Sequence, residues 1–145
     1  MGDLVEGRDI GVDLALEIIS AVRVESERGG FLMSVCVADR AGNPVATARM
    51  DGSSLGAYFI AVDKAYSAAL WNCRTGEMAE VSLPGNGDWG FDKTIGGRMI
   101  VFAGGVPVRR NGEQIGALGV SGALSEEDRS EEHTSELQSP YVISY

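Results

Sequence analysis

The sequence predicts an α+β domain in which helices flank an antiparallel sheet of five strands. Two kinds of pattern carry this prediction. Stretches with an apolar period of three to four residues, typical of helices, occur near the start and in the middle of the chain. Short β-branched runs lie between and after them and end at glycine, proline or asparagine, which is typical of hairpins. The expected order is helix, hairpin, helix, loop, strand, hairpin and helix.

The first half predicts a helix followed by a hairpin. Residues 8–28 have apolar side chains at three- and four-residue steps, and the pair Gly29-Gly30 follows as a stop signal. Residues 31–39 are apolar and β-branched, which predicts a buried strand. After a short turn, residues 44–50 predict its partner strand.

The middle of the chain predicts a second helix and a long loop. Residues 54–73 carry small side chains on one face, at Ala57, Ala61, Ala65, Ala68 and Ala69. Such a face indicates close approach to a sheet or to another helix. Residues 74–95 contain Pro84 and several glycines with few periodic apolar residues, which predicts a loop, and loops this long are often functional.

The second half predicts the remaining strands. Apolar runs at 99–103, 107–109 and 114–120 are the expected strands, and the Asn-Gly pair at 111–112 is typical of a type I′ hairpin turn. A capping pattern at 125–128 predicts that a final helix begins there.

Composition narrows the class of protein. The chain has 145 residues, which suggests one domain, and a net charge of −9, which argues against binding to nucleic acid or to an anionic membrane. It has neither an apolar run of the ~20 residues that cross a bilayer nor a secretion signal, so we expect a cytoplasmic protein. Cys36 and Cys73 are expected to be small buried residues rather than a disulfide or a metal site.

Three groups of residues follow one another along the chain with characteristic spacing. They are Val-Ala-Asp-Arg-Ala-Gly at 37–42 with Arg-Met-Asp-Gly at 49–52, Asp-Lys-Ala-Tyr-Ser-Ala-Ala at 63–69 with Thr75, and Gly-Gly-Val-Pro-Val at 104–108 with Gly-Ala-Leu-Gly-Val-Ser-Gly at 116–122, ending at Glu127-Asp128. Together they resemble the GlcG/HbpS family, which includes the C-terminal domain of PduO-type proteins. The family often has threonine where Ser67 stands. The resemblance implies a profilin-like layered fold, homo-oligomers and a haem- or corrinoid-like ligand, and haem degradation for some members.

The end of the chain differs from the rest. Residues 129–139 form a polar block that resembles the translation of a sequencing adapter. We therefore expect a domain at 1–128 that lacks its natural closing helix, and a non-native tail at 129–145. On this interpretation, His133, the sole histidine of the sequence, is neither a catalytic residue nor a metal ligand. The alternative is an ordinary polar helix with a tail.

A ligand site is predicted around three elements: the corner after the second strand, the second helix and the paired glycines. Its expected residues are Arg49, Asp51, Lys64, Thr75, Trp89, Gly104, Gly105 and Pro107. An arginine can hold a carboxylate with two parallel hydrogen bonds, and a lysine adds a point charge. Alternatively, these charged residues form a structural ion pair with one another, and the glycines form only a tight turn or bulge.

A planar ligand such as haem needs flat walls and an iron donor. Flat walls could come from Tyr58, Tyr66, Trp71, Trp89 and Phe91. Trp89 and Phe91 are the preferred pocket or lid residues, whereas Tyr66 and Trp71 suit the core or a subunit contact. Without a usable histidine, the possible iron donors are the tyrosines, Cys36, Cys73, Met33, Met50, Met78 and Met99, none of which stands in a signature. Arg98, Arg109 and Arg110 could pair with propionates or simply be solvated.

Two functions from different classes follow. The first is a homo-oligomeric module that binds a small anionic or tetrapyrrole-like ligand, with no metal site of its own. The second is a small enzyme or accessory protein in organic-acid catabolism, in which Lys64 works with a carboxylate of Asp51 or Asp39. Asp63 is a further acid–base candidate.

Overall fold

The computed structural model describes residues 2–124. Its long elements are α1 (Val12–Gly29), β1 (Phe31–Ala38), β2 (Pro44–Arg49), α2 (Leu55–Trp71), β3 (Gly105–Arg110) and β4 (Glu113–Leu124). Three short 3-10 helices, at Thr75–Met78, Phe91–Lys93 and Ile95–Gly97, lie between α2 and β3. The predicted last helix and the predicted tail lie outside the described residues.

The sheet is antiparallel throughout, with strand order β2-β1-β4-β3. Both predicted hairpins are present. The turn between β3 and β4 has positive φ at Asn111 (52°) and Gly112 (78°), as a type I′ turn requires. The helix and hairpin expectations are thereby confirmed within one or two residues, apart from the start of α1 and the far end of β4.

The prediction of five strands is wrong, because the sheet has four strands in residues 2–124. Residues 99–103 form no strand, although they are apolar. Side chains of other elements take up their backbone groups instead. The Ile100 N–H donates to Oγ of Ser67 (2.9 Å), and the Phe102 carbonyl accepts from Oγ1 of Thr75 (2.6 Å). An apolar run alone does not reveal this competition from side chains.

Helix α1 covers one face of the sheet. Its buried side chains, such as Ile18, pack with Val35 and Val37 of β1 in the main apolar cluster. Alternate residues of a strand point to opposite faces, so Cys36 points away from α1. Its side chain packs with Ala65 of α2, which places α2 on the other face. The expectation that Cys36 is a buried small residue is confirmed. In residues 2–124, no helix is long and apolar enough to cross a bilayer.

The close approach predicted for α2 is confirmed. Its buried face consists mainly of alanine, and the sheet presents glycine opposite it. A Cβ on Gly119 would overlap the Ala61 carbonyl oxygen. A Cβ on Gly105 would lie 2.5 Å from the Lys64 carbonyl oxygen. Both sides of this interface are therefore limited to small residues.

The interface makes a testable prediction. Gly119→Ala should lower the free energy of unfolding by about 1–3 kcal/mol or more, because the added methyl meets helix backbone rather than a flexible side chain. Gly56→Ala is the matched control, since nothing lies near Gly56 and alanine favours a helix. Urea unfolding of both variants measures the effect. Equal stability of the two variants would contradict close packing of α2.

Candidate functional site

The side chain of Lys64 lies between α2 and β4 and is 7% exposed. Its amine donates to the carbonyl oxygen of Val120 (2.9 Å) and stands 5.2 Å from the centre of the Phe102 ring. Across residues 2–124, no carboxylate forms an ion pair with it. Burial lowers the pKa of this amine from its ordinary 10.5 to about 8, because removing water penalises the charged form.

Gly104 lies beside this amine, and Gly105 lies between Thr75 and the backbone of Lys64. Oγ1 of Thr75 donates to the Phe102 carbonyl and accepts from the Gly105 N–H (2.9 Å), so it fixes the backbone of residues 102–105. At Gly104, φ is +128°, and a Cβ would overlap Nζ of Lys64. The glycine pair therefore lets the irregular backbone pass directly over the lysine. Gly105 instead begins β3, and its missing Cβ allows close packing against Lys64 and Thr75.

A second charged cluster lies one residue away on α2. Nε of Arg98 donates to Oδ1 of Asp63 (2.9 Å), and the guanidinium stacks on the Tyr66 ring, 3.6 Å from its centre. Oγ of Ser67 donates to the Asp63 carbonyl (2.8 Å) while it accepts from Ile100. The Asp63 carboxylate is thus engaged by Arg98 rather than by Lys64.

Arg49 lies on the same face of the sheet as Lys64, at some distance. Arg49, Ser34 and Ser121 hold facing positions on β2, β1 and β4. Neighbouring strands lie about 4.8 Å apart, so Arg49 stands about 10 Å from the β4 row. The Ser34 hydroxyl also lies 3.3 Å from that of Ser53, and both serines are buried. A polar row therefore runs from the arginine towards the lysine beneath the start of α2.

The predicted corner after β2 contributes fewer residues to the candidate site than expected. Asp51 lies in an exposed turn, and neither Arg49 nor Lys64 forms an ion pair with it. The structural alternative, an ion pair among Arg49, Asp51 and Lys64, is therefore not found in the described part of the chain. Asp39 caps the β1–β2 turn by accepting from the N–H groups of Ala41 (3.0 Å) and Asn43 (2.9 Å). Its carboxylate is committed to that turn, at the other end of β1.

The remaining predicted contacts lie apart from the amine. Pro107 is fully buried in β3 opposite Ala117, which packs with the alanines of α2, so its ring supports the helix. Trp89 is 62% exposed, with Nζ of Lys93 5.7 Å from its ring. The Phe91 ring instead packs edge-on against Trp71, at 5.4 Å. Their roles towards a ligand stay predictions.

Three of the possible iron donors, Met99, Met50 and Cys36, are engaged or protonated. The Trp71 indole N–H donates to the sulfur of Met99 (3.0 Å), and the Met33 N–H donates to the sulfur of Met50 (3.4 Å). Burial raises the pKa of the Cys36 thiol to about 12, which keeps it protonated. The described residues contain no group of three or more His, Cys, Asp or Glu side chains that could hold a metal ion.

Several residues at the site were not predicted from the sequence. Phe102 was expected in a strand, the Val120 carbonyl carries no side-chain signal, and Ser34 is one polar residue within an apolar run. Arg98 was considered only for propionates or solvent, whereas its main partners are Asp63 and Tyr66. Only the Ser34 position could have been noticed, as a polar side chain at a buried strand position.

Comparison with known proteins identifies the family. Residues 10–131 match the family described as haem degrading protein HbpS-like. The chain belongs to the HbpS-like family. This confirms the resemblance stated on the three groups of residues, and GlcG and PduO proteins are among its relatives.

Two curated relatives illustrate the match. An uncharacterized 15.0 kDa protein from the dhaT-dhaS intergenic region of Citrobacter freundii is 39% identical over 93 residues, which are 64% of this chain and 66% of that protein. GlcG of Escherichia coli K12 is 35% identical over 108 residues, which are 74% of this chain and 78% of GlcG.

Two solved structures have the same fold. Klebsiella pneumoniae protein ORFY is 32% identical, with a TM-score of 0.82 and 90% of each chain covered. A PduOC:heme complex is 26% identical, with a TM-score of 0.75, covering 84% of this chain and 88% of that one. The α+β fold is thereby shown, with four strands in the described part of this chain.

The buried amine gives a prediction about pH. Between about pH 8 and pH 10, the unfolded chain binds more protons at Lys64 than the folded chain, so wild-type stability gains from rising pH at this residue. Lys64→Met lacks this gain. The stability of Lys64→Met relative to wild type should therefore be highest near pH 7 and should fall as the pH rises to about 10.

Urea unfolding of both proteins at several pH values measures the difference between their free energies of unfolding. Titration of the other groups is common to both proteins and cancels in this difference. A difference that does not change with pH, or that grows in the opposite direction, would show that the amine is not buried as described.

Proposed function

We propose that this chain is a small-molecule binding domain that holds a planar, carboxylate-bearing ligand such as haem between Lys64 and Arg49. The single observation that carries the proposal is the buried Lys64 ammonium without a carboxylate partner. A buried cation needs a compensating group, and a ligand carboxylate supplies one. Family membership and the PduOC:heme complex support a haem-related ligand.

The residues present fit the acidic edge of haem better than its iron. Lys64 and Arg49 offer cations on one face of the sheet, with Arg49 on β2 and the Lys64 amine at Val120 of β4, two strands further across. Among the iron donors considered from the sequence, the Met99 and Met50 sulfurs are engaged and the Cys36 thiol is protonated and buried. The chain would therefore recognise propionates, while any iron chemistry would be supplied by haem itself. We derive no step through the iron.

This proposal predicts how porphyrins bind. Haemin and metal-free protoporphyrin IX, which share their propionates, should bind with similar affinity, because the protein recognises the carboxylate edge. Lys64→Met or Arg49→Ala should weaken both ligands by about tenfold, the typical worth of one charge-assisted hydrogen bond. Arg23→Ala is the matched control, since Arg23 is exposed on α1, which covers the other face.

Absorbance and tryptophan-fluorescence titrations measure the affinities, and a parallel cobalamin titration tests the corrinoid expectation. Haemin binding that far exceeds porphyrin binding and is insensitive to Lys64 and Arg49 would overturn propionate recognition. Binding of neither porphyrin below about 10 µM, about −7 kcal/mol, would overturn the proposed function.

We also propose that the chain self-associates, as the family resemblance implies. Support comes from the outer side of α2, where Leu55 is 69% exposed and Phe59 is 68% exposed. Helix α2 carries only two charged residues, and the carboxylate of one of them, Asp63, pairs with Arg98. A weakly charged apolar surface of this kind is covered in a stable oligomer.

Sedimentation velocity tests this self-association. The wild type should sediment as an oligomer, and Phe59→Glu should shift it towards monomer because a carboxylate would be buried in the contact. Glu17→Gln, on exposed α1, is the control. A monomeric wild type at micromolar concentration would contradict the proposal.

A further inference from the structure

Two asparagines of the chain, Asn86 and Asn111, are each followed directly by glycine. In such a pair, the backbone nitrogen of the glycine can attack the side-chain amide of the asparagine, because no Cβ shields that nitrogen. The two pairs lie in different structures. Asn86 belongs to the long segment between α2 and β3, whereas Asn111 belongs to the β3–β4 turn. Their surroundings therefore decide which of them reacts.

Asn86 holds together the segment in which it lies. Its side-chain nitrogen donates to the Glu80 carbonyl (2.6 Å), and its backbone N–H donates to the Leu83 carbonyl (3.0 Å). Its own carbonyl accepts from the Trp89 N–H (3.2 Å). Residues 80–89 form no helix or strand, so the conformation of this segment depends on such single hydrogen bonds.

The reacting atoms at Asn86 are accessible. Asn86 and Gly87 are exposed, and in residues 2–124 the Gly87 N–H makes no hydrogen bond. A Cβ on Gly87 would meet nothing within 4 Å. The φ of Asn86 is not positive, so its backbone lies in the ordinary region for an L residue. Rotation about its Cα–C bond brings the Gly87 nitrogen to the amide carbon without displacing a strand.

Asn111 is held by its turn. Its φ is +52° and that of Gly112 is +78°, as a type I′ turn requires. The flanking residues Arg110 and Glu113 are paired across β3 and β4. The Gly112 nitrogen approaches the side-chain amide only if the backbone of the turn rotates, and that rotation would disturb the pairing of both strands. The hairpin thus protects Asn111.

We propose that Asn86 is a deamidation site, and that its conversion opens the segment that carries Trp89. The Gly87 nitrogen loses its proton to a solvent base and attacks Cγ of Asn86, so a C–N bond forms. The bond from Cγ to the amide nitrogen breaks, and ammonia leaves with a proton from solvent. Water then opens the cyclic imide to aspartate or isoaspartate. One water is consumed, one ammonia is released, and nothing is oxidised or reduced.

Conversion reverses the hydrogen bonding at position 86. The amide nitrogen donates to the Glu80 carbonyl, whereas the carboxylate that replaces the amide only accepts. Two oxygens would then face each other without a hydrogen between them, and they repel. Isoaspartate also adds a carbon to the main chain between the bonds to Leu83 and Trp89. The segment must move, and Trp89, which is 62% exposed, moves with it. This modification requires no ligand.

Peptide mapping by mass spectrometry tests the modification, and Asn111 is its internal reference. Full-length protein is incubated in mildly alkaline buffer, and conversion at each asparagine is followed over time. We expect Asn86 to convert several-fold faster than Asn111. Gly87→Ala should slow conversion several-fold, because the methyl shields the nitrogen and the open space beside Gly87 accommodates it. In urea-unfolded protein, the two asparagines should convert at similar rates. Conversion of Asn111 in the folded protein as fast as Asn86 would overturn the proposal.

Hydrogen exchange tests the opening of the segment. Asn86→Asp, which places the product carboxylate directly, should exchange its backbone amides at residues 83–91 several-fold faster than the wild type. Asn111→Asp is the matched control, because it adds the same charge and Asp-Gly also suits a type I′ turn. Exchange at residues 83–91 should stay at the wild-type rate in this control. Unchanged exchange in Asn86→Asp, or an equal increase in Asn111→Asp, would contradict a specific opening at Asn86.

Discussion

The close approach of α2 to the sheet is the constraint on which the rest of the structure depends. Alanines on the helix meet glycines on the strands, and at Gly119 and Gly105 even one added carbon would meet helix backbone. Backbones this close leave no room for water or for a counter-ion. A long side chain that starts on the buried face of such a helix must run along the interface, and Lys64 does so.

The segment before β3 follows from the same constraint. Hydroxyl groups of Ser67 and Thr75 take up its backbone N–H and C=O groups, which would otherwise need a strand partner. Buried backbone groups need hydrogen-bond partners. Because side chains supply those partners here, the segment does not need to adopt strand geometry. The segment can therefore bend over the lysine with Gly104 in a conformation that favours glycine. Packing, hydrogen bonding and the unusual amine are consequences of one arrangement.

Much of this fold was predictable from local patterns. Apolar periodicity located both long helices, and the Asn-Gly pair located the β3–β4 turn, because these signals act over a few residues. The alanine face of α2 predicted close packing correctly. The apolar run at 99–103 was misassigned because its hydrogen-bond partners lie about 30 residues away, on Ser67 and Thr75. No local pattern carries that information.

The candidate site was predictable only in part. Lys64, Thr75, Gly104 and Gly105 do meet, whereas Asp51 and Pro107 do not join them, and Arg49 is separated by the width of two strand spacings. Register between strands decides such distances, and it depends on pairing across the whole sheet. The absence of an ion pair at Lys64, within the part of the chain that the structure describes, is likewise a property of three-dimensional packing.

The central claim is that close packing buries the Lys64 amine without a counter-charge, and an NMR titration tests it most directly. In Lys93→Arg protein with ¹³C-labelled lysine, a single lysine remains, and its ε-carbon shift reports protonation. The account predicts a folded-state pKa of about 8, well below the ordinary 10.5. A midpoint at or above 10.5 would contradict it, because such a lysine is either hydrated or paired with a carboxylate.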